Sequence, residues 1–107
     1  MFTRIVECYV KKEKSQDFSD RIQNHVLPIL QSQPGFVDLL ALSSEDEPER
    51  TVSISLWKSR ADAERYHRDH YPEIVDSLRP LLRDEPSVEF YNVEASTAHR
   101  IATTKAA

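Results

Sequence analysis

Two histidines, His67 and His70, fall in the segment ERYHRDHY, where Tyr66 and Tyr71 flank them. Imidazole is the side chain that changes charge near neutral pH, so a histidine among aromatic rings can take a proton from a weakly acidic substrate. An electron-rich phenol or hydroquinone, once deprotonated, can itself give an electron to O2. A base and a dry aromatic pocket are then the only requirements, and no cofactor is expected. Trp57, Tyr66, Tyr71, Phe36 and Phe90 are candidates for flat apolar walls. Asn92 and Arg4 are the polar groups expected to hold a substrate oxygen or the charge developing on it. His67 is the first choice as base and His70 the second. The competing reading is structural, because a histidine on a helix stripe is often half buried and bonded to a carbonyl or carboxylate. His67 and His70 also lie one turn apart, as some metal ligands do, but no Cys or acid completes a set, so no metal site is assigned.

These residues need a scaffold, and the chain is long enough for one domain only. At 107 residues it matches the commonest domain size. A net charge of −4, with Lys and Arg scattered among the acids, offers no basic face for nucleic acid. No run of residues suits a membrane. Cys8 is the only cysteine, which excludes an internal disulfide, and MFTRIVECYV lacks the apolar run of a signal peptide. The expected setting is the cytoplasm, and Cys8 is read as an inert core thiol.

Alternating apolar residues predict strands at Phe2 to Val10, Phe36 to Leu42, Thr51 to Trp57 and Ser87 to Ala95. Phe18, Ile22, Val26, Ile29 and Leu30 recur at helical spacing over Ser15 to Gln31, with Pro28 expected to kink the last turns. Gly35, the only glycine, marks a turn needing positive φ. Ser59 with Asp62 opens a second helix, along which Ala63, His67, His70, Ile74, Leu78 and Leu81 share one face, and Pro72 either kinks it or starts a new segment. Residues 1–95 therefore form the domain, and 96–107 a flexible tail.

The order βαββαβ implies an α+β, ferredoxin-like fold, a four-stranded antiparallel sheet with two helices on one face. Strand parity places Ile5, Tyr9, Val37, Leu39, Ala41, Trp57, Tyr91 and Val93 on the uncovered face. That is too apolar for water, so a homodimer packed sheet to sheet is expected. Trp57 then has two possible places, in that interface or against substrate.

With QPGFVDLLAL after the first helix and SISLWKSRADAERYH leading into the second, the chain resembles the antibiotic biosynthesis monooxygenase (ABM) domain family, which forms dimeric α+β barrels. The resemblance spans about residues 2 to 95. It implies a cofactor-independent oxygenase acting on a quinol-like or polycyclic aromatic molecule, or else a noncatalytic dimeric ligand-binding or assembly module of the same fold. At the places where quinol-oxidising members carry a glutamate and two histidines, this chain has Ser55, Tyr66 and Tyr71, with His67 and His70 each displaced by one. Haem degradation is disfavoured, because Asp76 stands where such members have their iron-ligating histidine.

Overall fold

The computed structural model describes residues 1–101. Strand β1 (Phe2–Tyr9) leads through a short 3-10 turn into a helical rod of three parts, α1 (Ser15–Arg21), a π-helical segment (Ile22–Val26) and α2 (Leu27–Gln31). Strands β2 (Phe36–Ser43) and β3 (Arg50–Trp57) follow, then a second rod of α3 (Arg60–Asp69) and α4 (Tyr71–Leu78), and finally β4 (Ser87–Asn92). The strands pair antiparallel in the order β2-β3-β1-β4, the ferredoxin-like arrangement. No helix among the described residues is long and apolar enough to cross a membrane.

Both prolines expected to disturb helices do so, each by a different device. A proline ring collides with the carbonyl four residues earlier in a regular α-helix. Ahead of Pro28 the backbone widens into the π-segment, where the Leu27 N–H donates to the Ile22 carbonyl, and the rod continues. Pro72 instead opens α4 in its first turn, where it forgoes no bond, after α3 has ended at His70. Ser59 caps α3, its hydroxyl oxygen accepting from the Asp62 N–H at 3.2 Å while its O–H donates to the Asp62 carboxylate at 2.9 Å. Gly35 has φ of 79°, and a Cβ there would collide with the Asp62 side chain. Close approach as well as turn geometry thus requires glycine.

Cross-strand register fixes the two faces of the sheet. Phe2 pairs with Trp57 and Asn92, Arg4 with Ser55 and Phe90, and Val6 with Ser53 and Val88, all on the helix-covered face. Trp57 is wholly buried there. This corrects the parity expected from sequence, which put Trp57, Leu39 and Ala41 on the open face. On β2 a bulge between Phe36 and Asp38 reverses the alternation, so Leu39 and Ala41 share the covered side with Phe36. On β3 it is Ser53 and Ser55, rather than Val52, Ile54 and Leu56, that look toward the helices. The open face is apolar nonetheless: Leu40, Leu42 and Tyr91 are exposed beside half-buried Ile5, Tyr9, Val52, Ile54 and Leu56.

Past β4 the described residues form no further strand or helix, although Ser96 accepts from the Ala98 and His99 N–H groups and His99 Nε2 lies 3.5 Å from the Asp38 carboxylate. Residues 102–107 of the expected tail lie outside the described residues.

Candidate active site

The site is built around Arg4, at the middle of the covered face and only 2% exposed. Helices α3 and α4 lower Tyr66, His67 and Tyr71 onto it. The guanidinium carbon lies 4.5 Å from the centre of the Tyr71 ring, 4.9 Å from Tyr66 and 6.0 Å from Phe90. Ring faces carry partial negative charge, so this box partly replaces the water that Arg4 gives up. Arg4 Nη2 donates to His67 Nδ1 at 2.9 Å. A guanidinium can only donate, which assigns His67 as the neutral imidazole with its proton on Nε2. Burial, and then the adjacent cation, hold the His67 pKa below its ordinary value.

Trp57 anchors the other side of the box. Its indole stacks on Tyr66 with centroids 5.1 Å apart and meets Phe36 edge-on at 5.6 Å. The indole N–H donates to Ser55 Oγ at 2.9 Å, and that hydroxyl reaches the Arg4 carbonyl. His67 stacks on Tyr71 at 4.9 Å and meets Phe90 edge-on at 5.3 Å, while half-buried His70 stacks on the outer side of the site against Tyr66 at 6.3 Å. Burial pushes the Tyr66 and Tyr71 phenols up to about 12, so both stay protonated near neutrality. Among the described residues two buried polar side-chain atoms lack a hydrogen-bond partner, Arg4 Nε and the Tyr71 hydroxyl.

Beside this box lies a cavity of about 500 Å³ between the sheet and the two rods, within the range of small-molecule sites. Its floor is Arg4, Val6, Cys8, Ser53 and Ser55; Phe18, Ile22, Val26 and Leu30 of the first rod and Tyr66, Tyr71, Ile74 and Leu78 of the second form its walls. Burial raises the Cys8 thiol to about 11, so it offers no thiolate to the cavity. Among the described residues no group of three His, Cys, Asp or Glu side chains could hold a metal ion.

The sequence model of antibiotic biosynthesis monooxygenases matches residues 1–76. This chain belongs to the antibiotic biosynthesis monooxygenase family. Among solved structures, the ABM fold here superposes on a provisionally assigned antibiotic biosynthesis monooxygenase from Nitrosomonas europaea at TM-score 0.74, with 26% identity over 89% of this chain and 100% of the other. A monooxygenase of Streptomyces coelicolor in complex with nanaomycin D gives TM-score 0.76 at 18% identity over 89% and 88%. SnoaB, a cofactor-independent oxygenase from Streptomyces nogalater, gives 0.77 at 17% over 92% and 97%. No curated protein matches the chain.

Of the residues singled out in the sequence of this ABM protein, Arg4, Tyr66 and Tyr71 line the cavity. His67 stands behind Arg4, and Trp57 and Phe36 behind Tyr66, in contact with cavity-lining residues rather than with the cavity itself. Phe90, on the edge strand and 43% exposed, closes the box from the side. Asn92 shares its row but is exposed at the strand end, and His70, stacked on Tyr66, does not line the cavity. Sequence reasoning missed the serine row. Ser53 and Ser55 alternate with Val52, Ile54 and Leu56, and hydropathy alone favours the aliphatic set as the core; the tryptophan closing the serine row is the signal that reverses that choice.

Proposed function

We propose that this ABM protein is a cofactor-independent monooxygenase that oxidises a quinol-like or polycyclic aromatic small molecule with O2 in the cavity between sheet and helices. The observation that carries this reading is the cavity itself, of a size for fused rings and walled by apolar side chains, with a cation and two un-ionised phenols at one end and a neutral imidazole directly behind the cation. A solved neighbour bound to nanaomycin D and another described as a cofactor-independent oxygenase are in keeping with it.

The chemistry balances without a cofactor. His67 takes a proton from the substrate, and the anion gives one electron to O2. The radical pair combines into a C–O bond, and the peroxide takes the proton back. Loss of water then leaves one oxygen atom in a new carbonyl and the other in the water. In the resting arrangement Arg4 occupies His67 Nδ1. The base becomes free when the guanidinium turns toward the substrate oxygen. A preorganised cation beside the nascent anion lowers the barrier to its formation.

A noncatalytic ligand-binding module of the same fold is the second reading, favoured by that same occupied Nδ1. Oxygen uptake with a panel of hydroquinones and anthrones separates the two. Uptake by the wild type that falls about 10²-fold or more in His67→Ala is expected for a general base. No uptake on any substrate favours the module, and equal uptake in the variant removes His67 as the base.

The protein is further proposed to be a homodimer packed through the open sheet face. The support is the exposure of Leu40 (51%), Leu42 (48%) and Tyr91 (46%) around half-buried Ile5, Ile54 and Leu56. Sedimentation should give a dimer in the wild type and a monomer in Ile54→Lys; a wild-type monomer at micromolar concentration contradicts it.

A further inference from the structure

Arg4 is a buried cation with no counter-ion among the described residues. What surrounds it is the neutral His67, two protonated tyrosines and Phe90. An unpaired charge taken out of water is among the costliest things a fold can bury, and it is ordinarily matched by an opposite charge. On this same strand even a charge in partial contact with water has its opposite partner. Glu7, on the open face, receives Arg50 Nε at 2.8 Å and Nη2 at 2.6 Å.

Three features set Arg4 apart from a structural arginine. It lines the cavity, its Nε is buried and unpartnered, and the equally unpartnered Tyr71 hydroxyl belongs to a neighbouring lining residue. Among the described residues nothing accepts from Arg4 Nε or from the Tyr71 O–H, although the Tyr71 oxygen lies close enough to the guanidinium to favour its charged form. The sheet also separates Arg4 from any partner packed on the open face, so a second subunit there supplies no carboxylate.

We infer that Arg4 is the anion receptor of the cavity, and that the aromatic ligand binds with a negatively charged oxygen, a carboxylate or a phenolate, taking hydrogen bonds from Arg4 and the Tyr71 hydroxyl. This rests on the cavity being the substrate site proposed above, and it narrows the substrate to aromatic acids and acidic phenols or enols. A phenolic ligand gives its proton to His67 as Arg4 turns to the oxygen. A carboxylate ligand arrives already charged and is anchored by the same pair of donors.

The test is an anaerobic calorimetric titration of wild type and Arg4→Met with naphthoate and its neutral counterpart naphthamide. A parallel titration uses a nitrophenol, whose phenolate absorbs in the visible, at a pH just below its own pKa. The wild type should bind naphthoate about tenfold or more tightly than naphthamide, the scale of a hydrogen bond to a charged group. The phenolate band should also grow on wild-type protein. Both effects should vanish in Arg4→Met. Response to naphthoate alone identifies a carboxylate ligand, and response to the nitrophenol alone a phenolate; either supports the receptor. Equal affinity for acid and amide with no phenolate band, binding of none of the probes, or a charge preference that survives in Arg4→Met overturns it. Thermal unfolding of the ligand-free variants adds a second readout. Arg4→Met should melt no lower than wild type, because methionine fills the space without a charge to bury, whereas a large drop with an unchanged charge preference marks Arg4 as structural. Oxygen uptake on the same samples keeps the two proposals apart. Charge preference without uptake retains the receptor and removes the monooxygenase, and uptake without charge preference does the reverse.

Discussion

The covered face of the sheet is packed solid at one end and hollow at the other, and β1 runs through both. At the Phe2 end, Phe36, Trp57, Tyr66 and Phe90 pack ring against ring under the second helical rod. At the Val6 and Cys8 end, Ser53, Ser55 and Ala41 on the sheet face Ile22, Val26 and Leu30 on the first rod. Those side chains are too short to meet, and the cavity is what remains. The difference teaches how one small core serves two purposes. Rings at one end give rigidity, small residues at the other give space, and Arg4 stands at their boundary with its chain held by the first and its free donors available to the second.

The sharpest way to break this contrast is Trp57→Ala. Trp57 is wholly buried at the packed end, so the substitution should cost about 3–5 kcal/mol in urea unfolding. A loss under about 1 kcal/mol would mean that the packed end does not carry the stability assigned to it. Val26 supplies the opposite case. It is buried but borders the hollow, so Val26→Ala should cost only about 1 kcal/mol, since it enlarges a space already present. Val26→Phe should hold stability within about 1 kcal/mol of wild type, because the ring has room to enter. The same variant should lose aromatic ligand binding in calorimetry, and binding that persists would place the ligand elsewhere.

A smaller effect concerns pH and reads the boundary itself. His67 has its pKa held below the ordinary 6.5 by burial and by Arg4. As pH falls below 6.5, the unfolded chain therefore binds a proton that the folded protein resists. Stability should decline with acidification across that window and level off once folded His67 also protonates. In His67→Gln this part of the decline should disappear from urea titrations at stepped pH. An unchanged profile would show that His67 is not held neutral by its surroundings.

Much of this was legible in the chain. The βαββαβ order, the Ser59 cap, the Gly35 turn and the stripe of Ala63, Ile74 and Leu78 followed from periodicity and turn chemistry, which are local properties. The facing of Leu39 and Ala41 was not, because a bulge on β2 shifts parity by one residue and leaves no mark in composition. On β3 the rule that aliphatics point to the core fails in an instructive way. A core with a hollow needs small polar side chains on its floor, and a sheet with an apolar open face takes the aliphatics on the other side. The role of Arg4 was legible only in part. Its helix-facing parity can be read from Phe2, Val6 and Cys8, but the absence of a counter-ion is a property of the whole fold.

Oxygen consumption by wild type and Arg4→Met, side by side on an acidic anthrone or hydroquinone, tests the account most directly. The expected result is uptake of one O2 per carbonyl formed in the wild type, falling about tenfold or more in the variant with its folded state intact. Equal uptake by the two proteins, or none by either, would contradict the claim that an unpaired buried cation at the edge of a hollow core prepares an aromatic anion for oxygen.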